Sequence, residues 1–135
     1  MQKMMLAFNF TPERLQALRM VAMLTKIQLR VISRQDMSQT LGALAGVPGM
    51  AKTAEAYSGD EAQEEMLYLC GLNGPTLDKL LQAIKRTALK QVALKSMLTP
   101  TNVGWTPVKL IGELAQEHVY MSQQGKGAKP LHNAK

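Results

Sequence analysis

Glu113 and Glu117 stand one helical turn apart, with His118 directly after them. This is the sequence's nearest approach to an acid–base cluster. Carboxylates on the outer face of an amphipathic helix are ordinarily solvated, so no catalytic residue is assigned. Cys70, the one cysteine, falls in the apolar run MLYLCGL, where a thiol serves as a small hydrophobe and no base is placed beside it. Two histidines, His118 and His132, cannot build a multi-histidine zinc centre, so no metal site is expected. The chain contains no Gly-x-x-x-x-Gly-Lys-Ser/Thr, no Gly-x-Gly-x-x-Gly and no Gly-x-Ser-x-Gly. A phosphate cradle, a dinucleotide fingerprint and a nucleophile elbow are therefore all unsupported, and no cofactor is expected. An enzymatic role is left open but not favoured.

Two groups of residues could bind rather than react. The first is a loop in which Thr99, Asn102, Trp105 and Thr106 come together. Its hydroxyls, next to the free amides of a helix start, could hold an anion or a partner. The same residues also have structural work to do. Pro100 ends a strand, Asn102 and Gly104 suit turns, Trp105 can staple the next helix and Thr106 can cap it. The second group is basic. Residues 1–65 hold seven basic and seven acidic side chains, whereas residues 66–135 hold nine basic and three acidic, so the net charge of +6 resides in the second half. Lys79, Lys85, Arg86 and Lys90 lie in a stretch without an acid and are the candidate nucleic-acid contacts. Single-strand recognition would also want exposed aromatics. Tyr68 lies in a strand-like run and Trp105 is taken by the staple, which leaves Tyr57 and Tyr120.

The elements that must position these groups read as one plan used twice. Met4 to Phe10 is a buried strand, Thr11-Pro12-Glu13 starts a helix, and Leu15, Leu18 and Ala22 carry it to about Leu24. Ile27, Leu29 and Val31 alternate as a second strand. Asp36 with Gln39 has capping-box spacing for a second helix, carried by Leu41 and Leu44 and stopped at Gly46. In the second half Met66 to Leu72 is a strand, and Asn73-Gly74-Pro75 starts a helix with Leu77, Leu80, Leu81 and Ile84 on one side. Val92 and Leu94 begin the next strand, and Thr106-Pro107 caps a helix with Val108, Ile111, Leu114 and Ala115 inward. Phe10, Leu72 and Trp105 each stand five residues before Leu15, Leu77 and Leu110, the spacing of a hydrophobic staple. Leu41-Gly42-Ala43-Leu44-Ala45 resembles Ile111-Gly112-Glu113-Leu114-Ala115, which suggests internal duplication.

The expected fold is α/β: a duplicated strand-helix-strand-helix unit giving about four mainly parallel strands with packed helices. A pseudo-twofold arrangement is preferred over a ferredoxin-like one. One domain is expected over 1–121, its units 1–46 and 66–121 joined by a linker at 47–65 with a helical turn near Ala51 to Tyr57. Residues 122–135 read as a flexible basic tail.

Lys95 to His118, KSMLTPTNVGWTPVKLIGELAQEH, resembles the bacterial family known as domain of unknown function 3783. With the strand and helix from Met66, the resemblance covers about half of the chain. It implies no activity, because that family has none assigned. A single cysteine, no apolar run long enough to span a membrane and no signal-peptide pattern point to a reducing cytoplasm. The expected role is a non-enzymatic binding or assembly module whose partner is a protein or itself, hinted at by the scarcity of polar residues from Met20 to Leu24. A nucleic-acid-associated role for the basic half is the alternative, and an anionic ligand at the Thr99–Thr106 loop is the third.

Overall fold

β1 (Met4–Phe8, MMLAF) and β3 (Met66–Cys70, MLYLC) are uninterrupted apolar runs, and every residue of both is buried. A strand presents successive side chains to opposite faces, so such a run demands cover on both sides. A computed structural model of the chain, which describes residues 2–54 and 64–124, shows how that cover is supplied. After β1 come α1 (Pro12–Thr25), β2 (Gln28–Val31), a 3-10 turn at Arg34–Ser38 and α2 (Leu41–Ala45). After β3 come α3 (Gly74–Lys85), β4 (Leu94–Met97), a 3-10 turn at Asn102–Gly104 and α4 (Pro107–Gln124).

The four strands form one sheet in the order β2-β1-β3-β4. The outer pairs are parallel, as strands joined through a crossover helix must be, and the central β1/β3 pair is antiparallel. Met4 pairs with Gln28 in the first unit and Met66 with Leu94 in the second, so both units start in the same register. Across the centre Met4 meets Cys70, Leu6 meets Tyr68 and Phe8 meets Met66. These pairings are symmetric about Leu6/Tyr68: each unit keeps its two strands together, and a pseudo-twofold relates the units.

Met4, Leu6, Phe8, Met66, Tyr68 and Cys70 pack on one side with α2 and α4, through Leu41, Leu44, Leu110, Ile111 and Leu114. Met5, Ala7, Leu67 and Leu69 pack on the other with α1 and α3, through Leu18, Val21, Leu80 and Ile84. Full burial of one such large side chain stabilises by about 1.5–3 kcal/mol. The two staple residues Phe10 and Leu72 join the second cluster with Leu15 and Leu77, while Trp105 joins the first with Leu110.

The helix starts follow local chemistry. Thr11 accepts from the Arg14 amide at 3.3 Å, Asn73 from Thr76 at 2.9 Å and Thr106 from Lys109 at 3.3 Å. The expected Asp36/Gln39 capping box does not form. Asp36 lies inside the 3-10 turn, α2 is capped by Thr40, which accepts from Ala43 at 3.1 Å, and Gln39 is buried. The Gln39 side chain donates to the Thr53 carbonyl at 3.0 Å and accepts from the Thr53 amide at 2.8 Å. A three-residue spacing serves a 3-10 turn as well as a capping box, and tertiary pairing with Thr53 chose between them.

Other boundaries also shift. Val92 precedes β4 and packs on the α1/α3 side, whereas Leu94 packs on the opposite side, so the two do not share a strand face. Val31 is exposed because β2 is an edge strand. The letter match between 41–45 and 111–115 spans seventy residues, but the caps Thr40 and Thr106 stand sixty-six apart, as do the strand starts Gln28 and Leu94. The match is therefore one helical turn out of step with the geometry. α4 continues through Ser122 to Gln124, where a tail was expected, and residues 125–135 lie outside the described residues. Ala51–Ala54 form no helical turn, and 55–63 lie outside the described residues.

Gly42 sits where α2 meets the second unit. A Cβ there would collide with the Met50 sulfur and lie 2.7 Å from Val103 Cγ2. Met50 can swing aside, but a β-branched valine is stiff. Gly42→Ala is therefore expected to lower stability by about 1–3 kcal/mol in urea unfolding, as overpacking does, despite alanine's better helix propensity. A stabilised Gly42→Ala protein would show that this junction yields.

Candidate functional site

The Thr99–Thr106 loop is organised by one buried amide. Asn102 Oδ1 accepts from the Tyr68 hydroxyl at 2.6 Å and from the Thr99 amide at 3.0 Å. Its Nδ2 donates to the Met97 carbonyl at 2.9 Å and reaches Ser96 Oγ at 3.5 Å. The Asn102 amide in turn donates to Thr99 Oγ1 at 3.0 Å. Burial pushes the Tyr68 phenol well above its usual range, which keeps it a neutral donor. Trp105 is half-buried, its carbonyl accepts from the Leu41 amide at 2.8 Å, and the Lys109 ammonium stands 4.7 Å from its ring centroid. Thr106 caps α4. Thr99, Asn102, Trp105 and Thr106 are thus brought together, and the polar side chains of Thr99, Asn102 and Thr106 are engaged in holding the loop.

The first unit carries a relative of this arrangement. Ser33 and Asp36 stand sixty-six residues before Thr99 and Asn102, and Ser33 Oγ donates to Asp36 Oδ2 at 3.4 Å. Asp36 is half-buried and pairs with Lys52 at 3.4 Å, whereas Asn102 is buried under Tyr68. A carboxylate suits the open position and a neutral amide the closed one.

The other candidate site lies on the opposite face of the sheet, where α1 and α3 run side by side. Between them is an open groove of about 720 Å³, lined by ten of the described residues. Met20, Leu24, Gln82 and Ala83 come from the helix walls, Thr25, Lys26 and Thr87 from helix ends, and Lys3 from the segment before β1. Lys79 and Arg86 complete it, so among the described residues that line it four are cationic and none is acidic. Beside it α1 ends in a patch with Met20 58%, Met23 79% and Leu24 70% exposed. Counted from the caps Thr11 and Asn73, sixty-two residues apart, the corresponding positions on α3 are Gln82, Lys85 and Arg86, all exposed. The fold therefore accepts polar residues at these positions, and among the described residues no packing calls for Met20, Met23 and Leu24.

Of the basic residues singled out in the sequence, Lys79 and Arg86 line the groove, while Lys85 and Lys90 are exposed outside it. Lys90 instead borders a shallow hollow of about 440 Å³ with Arg14 and Glu65. There Arg14 makes a two-pronged pair with Glu65 at 2.6 and 2.9 Å and donates to the carbonyls of Leu89 at 3.2 Å and Gln91 at 2.8 Å, joining the two units. The Glu65 carboxylate holds the Arg14 guanidinium above its usual pKa. Lys3 and Lys26 are not conspicuous in the sequence because charge in residues 1–65 cancels overall; the fold brings them to the groove, which Glu13, Glu64 and Glu65 do not line.

Cys70 is fully buried, and burial pushes its thiol up to about 12. Glu113, Glu117 and His118 stand exposed along α4. Among the described residues no group of three or more His, Cys, Asp or Glu is placed to hold a metal ion, and no helix is long and apolar enough to cross a membrane.

Residues 65–121 match the family model described as Domain of unknown function (DUF3783). That span takes in β3, α3, β4 and most of α4, and with them the Thr99–Thr106 loop, Lys79 and Arg86. Met20, Met23 and Leu24 lie outside it. A search of curated proteins and a search of solved structures each found no match.

Proposed function

We propose that this chain is a non-enzymatic binding or assembly module of the cytoplasm, and that the exposed end of α1 is where it engages a protein partner. One observation carries the reading. Met20, Met23 and Leu24 project into solvent together, while the corresponding positions of α3 hold Gln82, Lys85 and Arg86. Exposed apolar side chains grouped on one helix end are a cost to a lone soluble surface and an asset at an interface. Methionine suits such a surface because its unbranched thioether adapts to the shape it meets.

The test is a full-length M20Q/M23Q/L24Q variant. Its fold is expected to be unaffected, since the three side chains lie largely in solvent and surface changes cost little. A partner recovered with the wild-type chain, then purified and titrated, is expected to bind the variant at least tenfold more weakly, as loss of central apolar anchors costs about 2 kcal/mol or more and tenfold is about 1.4 kcal/mol. Light scattering across a range of concentrations reports whether the partner is a second copy. Equal affinity of wild-type and variant for the purified partner defeats the reading.

The convergence of Lys3, Lys26, Lys79 and Arg86 supports a second reading, binding of nucleic acid. It is the weaker one, because Met20 and Leu24 stand among those cations and would face phosphate. Tyr68 is buried and Trp105 packs into the core on the far face, while Tyr57 and the Tyr120 side chain lie outside the described residues.

A further inference from the structure

The groove between α1 and α3 differs from the helix end beside it by carrying charge of one sign. Lys3, Lys26, Lys79 and Arg86 line it around Met20 and Leu24, and among the described residues no carboxylate lines it. These cations come from the segment before β1, the C-cap of α1, one position of α3 and the C-cap of α3, so only the fold assembles them. Even Asp78, the neighbour of Lys79 in sequence, is not among the lining residues.

The walls of the groove decide the form of what fits it. The edge strands β2 and β4 lie at the outer ends of the sheet, and the groove lies between helices. An extended segment would find no row of backbone partners there, whereas a helix satisfies its own amides and carbonyls. A helix can also seat a ridge of side chains between two others. Its apolar stripe would meet Met20 and Leu24, and carboxylates flanking that stripe would meet the four cations. A second copy docked symmetrically would instead set those cations against themselves. Nucleic acid would leave the methionine and leucine facing phosphate and water.

We infer that the groove receives an acidic amphipathic helix of a partner protein, with its apolar stripe on Met20 and Leu24 and its carboxylates on Lys3, Lys26, Lys79 and Arg86. This rests on the protein-binding reading and specifies the partner's chemistry.

The experiment is fluorescence anisotropy with the full chain and four labelled probes. They are a synthetic helix with leucine on one face and glutamate elsewhere, its twin with lysine for glutamate, the glutamate peptide with glutamine for leucine, and single-stranded oligouridine. The leucine/glutamate helix is expected to bind saturably, and at least tenfold more tightly than either altered peptide. Its binding is expected to weaken at least tenfold in K79E/R86E and in L24Q, and to weaken with added salt. Circular dichroism checks the fold of each variant, whose altered side chains are exposed. No binding of the leucine/glutamate helix, equal binding of the lysine twin, or indifference to K79E/R86E overturns the inference. Tighter binding of oligouridine, lost in K79E/R86E, overturns it in favour of nucleic acid. If the acidic helix fails while M20Q/M23Q/L24Q still loses its purified partner, this inference falls and the protein-binding reading stands.

Discussion

Replacing Asn102 with alanine is expected to destabilise the protein by about 2–4 kcal/mol, because one buried and two partly buried groups then lose a partner at once. The Tyr68 hydroxyl loses its acceptor, the Thr99 amide loses the same oxygen, and the Met97 carbonyl is left with the longer 3.4 Å bond from Ser96 Oγ. Each unpaired buried group costs about 1–3 kcal/mol, and water cannot relieve Tyr68, which is fully buried. Tyr68→Phe removes only one hydroxyl and leaves Asn102 Oδ1 paired with Thr99, so its expected cost is smaller, about 1–2 kcal/mol. The two changes share one bond and are expected to be non-additive in a double-mutant cycle. Urea unfolding of both variants and the double checks this. An Asn102→Ala protein within about 1 kcal/mol of wild type would mean that the loop repacks and that the amide is not its organiser.

Alkaline pH is expected to unfold the protein through Cys70 and Tyr68. Burial raises both groups, Cys70 from 9.0 to about 12 and Tyr68 above its ordinary 10.0. The folded state therefore holds these protons more tightly than the unfolded chain, and stability is lost as pH rises. It is fully present below about pH 9 and falls above it, by about 1.4 kcal/mol per pH unit for each group once the unfolded form ionises. From pH 9 to 12 Cys70 alone removes about 4 kcal/mol, a large part of a typical domain's stability. Lys95 acts in the opposite sense. Burial lowers its pKa from 10.5, so it adds stability as pH rises through the window just below 10.5. The steepest net decline is thus expected above about pH 10.5, with Cys70→Ala removing the earliest part of it. Thermal midpoints measured across this range decide the matter. A profile still flat between about pH 10.5 and 12, where Lys95 no longer offsets them, would mean that neither proton is held by burial. In the same native state Cys70 is expected to resist Ellman's reagent until urea unfolds the chain.

Both results concern groups whose types could be read in advance but whose partners could not. Tyr68 was placed in a strand and Asn102 in a turn, yet thirty-four residues separate them and only the packing of β3 against the loop joins them. The same holds for Gln39, whose bonds to Thr53 displaced the capping box that its spacing with Asp36 implied. Hydrogen bonds between distant residues leave no periodic trace, whereas caps at Thr11, Asn73 and Thr106 act within one turn and were legible. The groove illustrates the limit most plainly. Lys79 and Arg86 were noticed because the second half is basic, while Lys3 and Lys26 sit in a half whose charges sum to zero. Met20 and Leu24 were legible as an apolar helix end, not as part of the wall of a cationic groove.

By itself the sequence determined the four strands, the long helices, their caps and the apolar runs of β1 and β3 that require cover on both faces, because propensity, capping and burial patterns act over a few residues. The tertiary structure decided the order β2-β1-β3-β4, the antiparallel centre and the meeting of Lys3, Lys26, Lys79 and Arg86 around Met20 and Leu24. Those are outcomes of how two units bury one another's apolar faces, a condition on the whole chain that no short stretch of it expresses.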